Sequence, residues 1–449
     1  MRQVGFWEAF RFWLRLGFIN FGGPTGQIAV MHHELVERRR WISNERFLHA
    51  LSYSMLLPGP EATQLATYIG WLLHRTAGGL VAGVFFVLPA VFIMLGLSWL
   101  YAVHGEIFWV AAIFYGLRAG VIAIVAAAVL RIGGRALRTP AMLVIAAAAF
   151  VALFAFQVPF PAIVIGAGLV GLAGGRWRPQ MFGAAPPDTV FSLKDAPVIR
   201  DDLPPPEHTR PSARRAVLTL AVSLAVWWIP LMAVAVWRGA DDALTREALF
   251  FSKAALVTFG GAYAVLVYFA QAAVQQYGWL TPGEMLDGLG LAESTPGPLI
   301  MVTQFVGFLG AFRHPGGLDP VLAGTLGALV TVWATFVPSF LFIFLGAPYV
   351  ERLRGNVTLG TALAAITAAV VGVILNLALW FGLHTLFATV RETAVLGMTL
   401  PVPRLSTLDP AALLLAVAAF AALWRFRVGI VPVVLGSAVV GLLVRLVRS

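Results

Sequence analysis

The word Pro-Gly-Pro occurs twice inside otherwise apolar segments, as Pro58–Pro60 in LPGPEATQ and as Pro296–Pro298 in STPGPLIMVTQ. Proline lacks an N–H and disfavours helical geometry in the residue before it, so each word stops one helix and starts another. Apolar runs long enough to cross a bilayer, such as 78–101 and 361–383, recur along the chain. In hydrocarbon, the backbone groups freed at such a break must be buried in protein or line a wet cavity. Composition agrees with a membrane setting: 59% of residues are hydrophobic and 12% charged, against about 25% charged in a soluble chain. The expected class is an all-α polytopic membrane protein, and no run of short alternating strands suggests a β-barrel.

The formal charge of +10 does not point to nucleic acid, because the arginines cluster at the ends of apolar runs, as membrane topology requires. The chain has no cysteine, which excludes disulfides and thiolate metal sites. Its N-terminus mixes arginine and glutamate with aromatics and is not expected to be a removable signal peptide.

The chain repeats itself. An offset of 238 residues carries Phe21-Gly22-Gly23 onto Phe259-Gly260-Gly261, Trp41 onto Trp279, and the first Pro-Gly-Pro onto the second. It also carries Arg15 onto Lys253 and Asn20 onto Thr258; after a shift of two, Thr63-Gln64 matches Thr303-Gln304. The expected domains are a first repeat at 1–175, a Pro-rich linker at 176–213, a connecting transmembrane helix at 214–237 and a second repeat at 238–449. Six segments per repeat plus the connecting helix give about 13, and the odd extra crossing inverts one repeat against the other. Segments 5–38, 44–75, 245–277 and 282–312 are too long for one crossing and too short for two. Each is either one bent span or a re-entrant hairpin broken at FGG or PGP. Hairpins place Arg38–Arg40, Arg46, Arg75 and Arg131 on one positive cytoplasmic face.

A helix that restarts inside the membrane presents free N–H groups and the positive end of a dipole, which suits an anion. The candidate substrate-binding residues are therefore Gly22, Gly23, Pro58, Gly59 and Pro60 with Gly260, Gly261, Pro296, Gly297 and Pro298. Packing kinks are the simpler reading of each word alone; their recurrence in register favours a site. Arg15 and Lys253 each precede FGG by six residues, as partners for a dianion or as side chains snorkelling to headgroups. Asn20, Thr258, Thr63, Gln64, Thr303 and Gln304 can donate hydrogen bonds to oxyanion oxygens or bond neighbouring helices. The run MHHELVERRRW offers Glu34, Glu37, Arg38 and Arg39 as a vestibule that concentrates anions or as a topology anchor. Glu61 is a protonatable coupling group or a helix cap, and Glu293 is a candidate proton carrier. Adjacent His32 and His33 point to different helix faces, so neither a metal nor another cofactor is expected. No P-loop occurs, so uphill transport would need an ion gradient or another chain.

LGFINFGGPTGQIAVMHHELVERRRWIS, LPGPEATQLATYIGW and FVLPAVF in the first half resemble the chromate ion transporter family in its long, two-domain form. FGGAYAVLVYFA, GWLTPGEMLDGLGLAESTPGP and FVPSFLF carry the resemblance through the second half. The resemblance implies a bacterial inner-membrane secondary carrier, built from two oppositely oriented domains, that exports chromate and confers resistance. By matching position it assigns the family motif to Phe21, Gly22, Gly23, Pro24, Glu37, Arg38, Arg39, Trp41, Pro58, Gly59, Pro60 and Gln64. The second half departs from it with Ala262 at the position of Pro24 and VQQYGW for ERRRW, which favours the first half as the more direct anion handler. The expected partners are chromate or another tetrahedral oxyanion and the lipid bilayer, with a homodimer left open. The alternatives are a sulfate importer, an anion channel, and an intramembrane metal enzyme using His32, His33, His49 and Glu61.

Overall fold

The computed structural model describes residues 4–21, 23–105, 107–182, 199, 207–259, 262–349, 357–395 and 398–448. Gly22, Gly260, Gly261 and most of the linker lie outside the described residues.

In the first half, α1 (Phe6–Ile19) stops at Asn20, and α2 (Gly23–His32) starts at a glycine with φ of +65° and runs into a π-helical turn at His33–Arg38. Helix α3 (Asn44–Leu56) opens under a Ser43 cap on the Arg46 N–H at 3.1 Å and ends where Pro58 and Pro60 forbid a helical ladder. Helix α4 (Glu61–His104) is 44 residues long, but His74 and Arg75 leave helical geometry and divide it there. Then come α5 (Phe108–Ala136), α6 (Pro140–Phe154) and α7 (Phe160–Trp177).

After the linker, α8 (Ala213–Arg238) leads to α9 (Ala243–Val257), α10 (Ala262–Ala270) and a second π-helical turn at Gln271–Gln276. That turn lies 238 residues beyond the first, at both ends of its range. Helix α11 (Pro282–Ser294) ends before the second Pro-Gly-Pro, and a 3-10 turn (Leu299–Met301) restarts the chain into α12 (Val302–Arg313). Next are α13 (Pro320–Gly346) and α14 (Val357–Leu386), and finally α15 (Pro410–Trp424) and α16 (Ile430–Arg448). Among the described residues, seven helices are long and apolar enough to cross a membrane. The chain is a multi-pass, nearly all-helical membrane protein.

The expectation of an all-α chain needs one correction. An antiparallel ribbon, β1 (Val390–Val395) and β2 (Met398–Pro403), stands between α14 and α15. Val390, Thr393 and Val395 supply β-branched residues, and Pro401 and Pro403 are tolerated because a two-stranded ribbon is all edge.

The chain divides into two compact units that each draw on both halves of the sequence. One comprises Met1–Leu95, Ala185–Ala262 and Thr295–Gly355, the other Gly96–Ala184, Tyr263–Ser294 and Asn356–Ser449. In the first unit α12 and α13 approach closely because Gly307 faces Gly327; a side chain on either would meet the other helix's backbone. In the second unit Gly116 on α5 and Gly441 on α16 meet in the same way. Also in the second unit, buried Asp287 on α11 takes two bonds of 2.7 Å from Arg118 on α5 and one of 2.7 Å from the Tyr101 hydroxyl.

Candidate functional site

Both chain breaks of each half that fall in the first unit are bonded crosswise to the other half. The Gly297 N–H donates to the Asn20 carbonyl at 2.8 Å, and the Gly59 N–H donates to the Thr258 carbonyl, also at 2.8 Å. Asn20 and Thr258 are equivalent positions, as are Gly59 and Gly297, so the two bonds repeat one pattern with the halves exchanged. Local chemistry explains the acceptors. Each carbonyl belongs to the residue at which a helix has just ended, so no following turn supplies an N–H to it. The donors sit at φ of +126° and +113°, in backbone that glycine adopts without strain. Neither glycine has room for a side chain: a Cβ on Gly59 would lie 2.6 Å from Ser339 Oγ, and one on Gly297 would collide with Ala90.

Buried polar side chains gather on these same segments. The Asn20 amide is fully buried, and neither its Oδ1 nor its Nδ2 has a hydrogen-bond partner among the described residues. Gln27 donates to the Gly297 carbonyl, Gln64 to the Pro58 carbonyl at 2.7 Å, and Gln304 to the Val91 carbonyl at 2.8 Å. The Oε1 of all three glutamines is left unpartnered, as are the Thr63, Thr335 and Ser339 hydroxyls. Each such group costs about 1–3 kcal/mol when buried without a bond, so this concentration in one unit demands a polar partner. Asn20 and Thr63 can donate, and the new helix at Glu61 adds N–H groups with no intrahelical acceptor. The Asn20 Nδ2, the three hydroxyls and the N–H groups of the restarted helix are neutral donors that suit an oxyanion, whereas the four amide oxygens only accept and call for a donor such as water.

The other expected residues fall into different places. Arg15 and Lys253 are exposed, on the outer flank of α1 and α9, and neither has a partner among the described residues. The Thr258 and Thr303 hydroxyls are turned back onto carbonyls of their own segments, Ala254 at 2.6 Å and Ile300 at 2.9 Å. Glu61 is half-buried as the first residue of α4. In the second unit, buried Glu293 accepts from the Tyr263 hydroxyl at 2.5 Å through Oε1, while its Oε2 is unpartnered.

The charged run forms a self-contained cluster on the first π-helical turn. Glu34 accepts from Arg38 at 2.8 Å and from Arg39 at 3.3 Å; Glu37 accepts from His33 at 2.8 Å. Arg39 also covers the rings of Phe12 and Trp41, 4.7 and 5.2 Å from their centroids. Partial burial pushes the Glu34 carboxyl up, but the hydrogen bonds and charges of Arg38 and Arg39 outweigh it and hold the group below its ordinary value. The His33 hydrogen bond lowers Glu37 likewise.

Gln27, Thr335 and Ser339 belong to the buried polar set without having been singled out from sequence. Gln27 is one polar residue in a mostly apolar helix, a signal too common to choose among candidates, whereas Thr331, Thr335 and Ser339 recur every four residues on one buried face of α13, a spacing that could have marked them. What selects Gln27 is its contact with Gly297, 270 positions away.

The family model described as chromate transporter matches residues 7–172 and 246–442, one stretch in each half. The chain is 31% identical over 452 residues to the chromate transport protein of Pseudomonas aeruginosa, covering 97% of this chain and 92% of that one. It is 29% identical over 432 residues to the chromate transport protein of Cupriavidus metallidurans, covering 96% and 91%. Against the probable chromate transport protein of Synechococcus elongatus the identity is 29% over 380 residues, 84% of each chain. No solved structure matches the chain.

Proposed function

Because the chain belongs to the chromate transporter family, we propose that it is a secondary carrier exporting chromate from the bacterial cytoplasm across the inner membrane, and so conferring resistance. The observation that carries the site is the fully buried, unpartnered Asn20 amide beside the carbonyl that holds Gly297. In this reading the two halves are inverted repeats, and their interrupted helices meet at the two crosswise bonds. The dianion is held by neutral donors: Asn20, Thr63, and the N–H groups where α4 and the turn before α12 restart. Arg15 and Lys253 attract it from the exposed flank, and the charged first π-helical turn serves as the vestibule. Alternating access would change the crosswise bonds, since they tie the helix ends of one half to those of the other.

Proteoliposomes containing the full chain test this directly. Chromate should enter by saturable counterflow, and Asn20→Ala should lower that flux at least about tenfold, the effect of losing about 1.4 kcal/mol. A conductance without saturation would instead make the protein a channel. Neutral donors distinguish tetrahedral dianions weakly, so sulfate should compete for the same flux.

A further inference from the structure

One fully buried carboxyl in the first unit is not used by the anion site. Glu247 lies on α9, three turns before Thr258, and neither of its oxygens has a hydrogen-bond partner among the described residues. At the 238-residue offset its counterpart is Ala9, so the group belongs to the second half alone. Its Oε2 faces the close approach of α12 and α13: a Cβ on Gly327 would lie 2.8 Å from it.

The charged groups on the surrounding helices are engaged or turned away. On α8, Arg238 is bonded to Asp242 at 3.0 Å and to the Pro315 and Gly316 carbonyls at 3.1 and 2.7 Å. On α9 itself, Arg246 pairs with Asp241 at 3.0 Å, and Lys253 is exposed. Helix α12 carries Arg313 in its last turn, followed by His314, whose ring bonds the Gly310 carbonyl at 3.0 Å. Helix α13 has no charged residue, and Asp319 before it caps that helix. Among the described residues no cation is paired with Glu247; the charged group that acts on it is the Asp242 carboxylate, of like sign, and the Ala311 N–H of α12 lies near it without a well-formed hydrogen bond. A lone buried carboxylate is far more costly than the neutral acid. A metal cation would need several oxygen ligands. The Gly327 carbonyl already accepts from Thr331 at 3.0 Å, and the Thr245 hydroxyl, two residues from Glu247, lies on another face of α9.

We propose that Glu247 is the proton-coupling residue of the carrier, holding a proton while α12 and α13 close over it and exchanging it when α9 moves. The coupling route is short: α9 ends at Thr258, whose carbonyl holds Gly59. This inference rests on the transport reading.

The test compares wild type with Glu247→Gln, which mimics the neutral acid, in proteoliposomes loaded with chromate. An imposed gradient of about one pH unit should shift the steady-state chromate distribution of wild type by up to about tenfold per coupled proton. Glu247→Gln should keep chromate–chromate exchange within about twofold of wild type, yet show no response to the gradient. A variant that still follows the gradient overturns the proposal, as does one that loses exchange as well. Wild type that moves no chromate overturns the transport reading and the coupling role together, a result distinct from either.

Discussion

Gly297 gives its backbone N–H to the Asn20 carbonyl at 2.8 Å, tying a break in the second half to a break in the first. The geometry admits only glycine at the donor. Gly59→Ala and Gly297→Ala should each cost roughly 2–4 kcal/mol, from a disfavoured φ and overpacking together. Gly278→Ala is the control: φ is +64° there but nothing lies within 4 Å of a new Cβ, so about 1 kcal/mol is expected. Thermal unfolding in detergent should rank the three accordingly; equal losses would remove the steric argument.

The Glu34 cluster makes a prediction in pH. The folded carboxyl sits below its ordinary value of 4.5, so its contribution is fully present above that pH and is lost as pH falls through the lower, folded value. Glu34→Gln should lower stability at neutral pH by about 0.5–1 kcal/mol, and its melting curve should merge with wild type on acidification well below pH 4.5. A difference that persists at low pH would mean that packing, not charge, holds the cluster.

Within the second unit, Arg118 and fully buried Asp287 should behave as a unit. Arg118→Met leaves an uncompensated buried carboxylate and should cost about 3–5 kcal/mol. Adding Asp287→Leu should recover most of that loss. If the double variant is as unstable as the single one, the pair's worth lies in its geometry rather than in avoiding a bare charge.

Much of this was legible in the sequence because it rests on local chemistry. Proline fixes where α3 and α11 end, and in-register recurrence of FGG and PGP picks out the segments that carry the crosswise bonds. The π-helical turns at 33–38 and 271–276 fall within segments marked by the same offset. What periodicity could not give is which atom meets which across hundreds of residues. Asn20 and Thr258 were legible as equivalents, but that their carbonyls matter more than the Thr258 hydroxyl is a consequence of where each helix stops. Arg15 and Lys253 illustrate the other limit: their spacing to FGG is a property of the chain, whereas their exposure depends on the helix face that packing selects. Glu247 carries no such mark in the sequence, because the charged neighbour Arg246 in ALTREALFF makes the stretch look like a solvated helix start, and its burial comes from tertiary packing that includes Gly327 of α13.

Arg15 and Lys253 should act through the field rather than by contact. The double variant Arg15→Ala/Lys253→Ala should lose chromate flux mainly at low ionic strength and approach wild type near 0.15 M salt, where the screening length is about 8 Å. A loss that salt does not alter would place one of them against the anion.

The most direct test is chromate counterflow by Asn20→Ala, with Gly278→Ala as a folded control outside both the buried polar set and the charged turn. Flux in Asn20→Ala should fall at least about tenfold below wild type, and in the control it should stay close to wild type. Undiminished, saturable chromate flux in Asn20→Ala would contradict an anion site built on that amide.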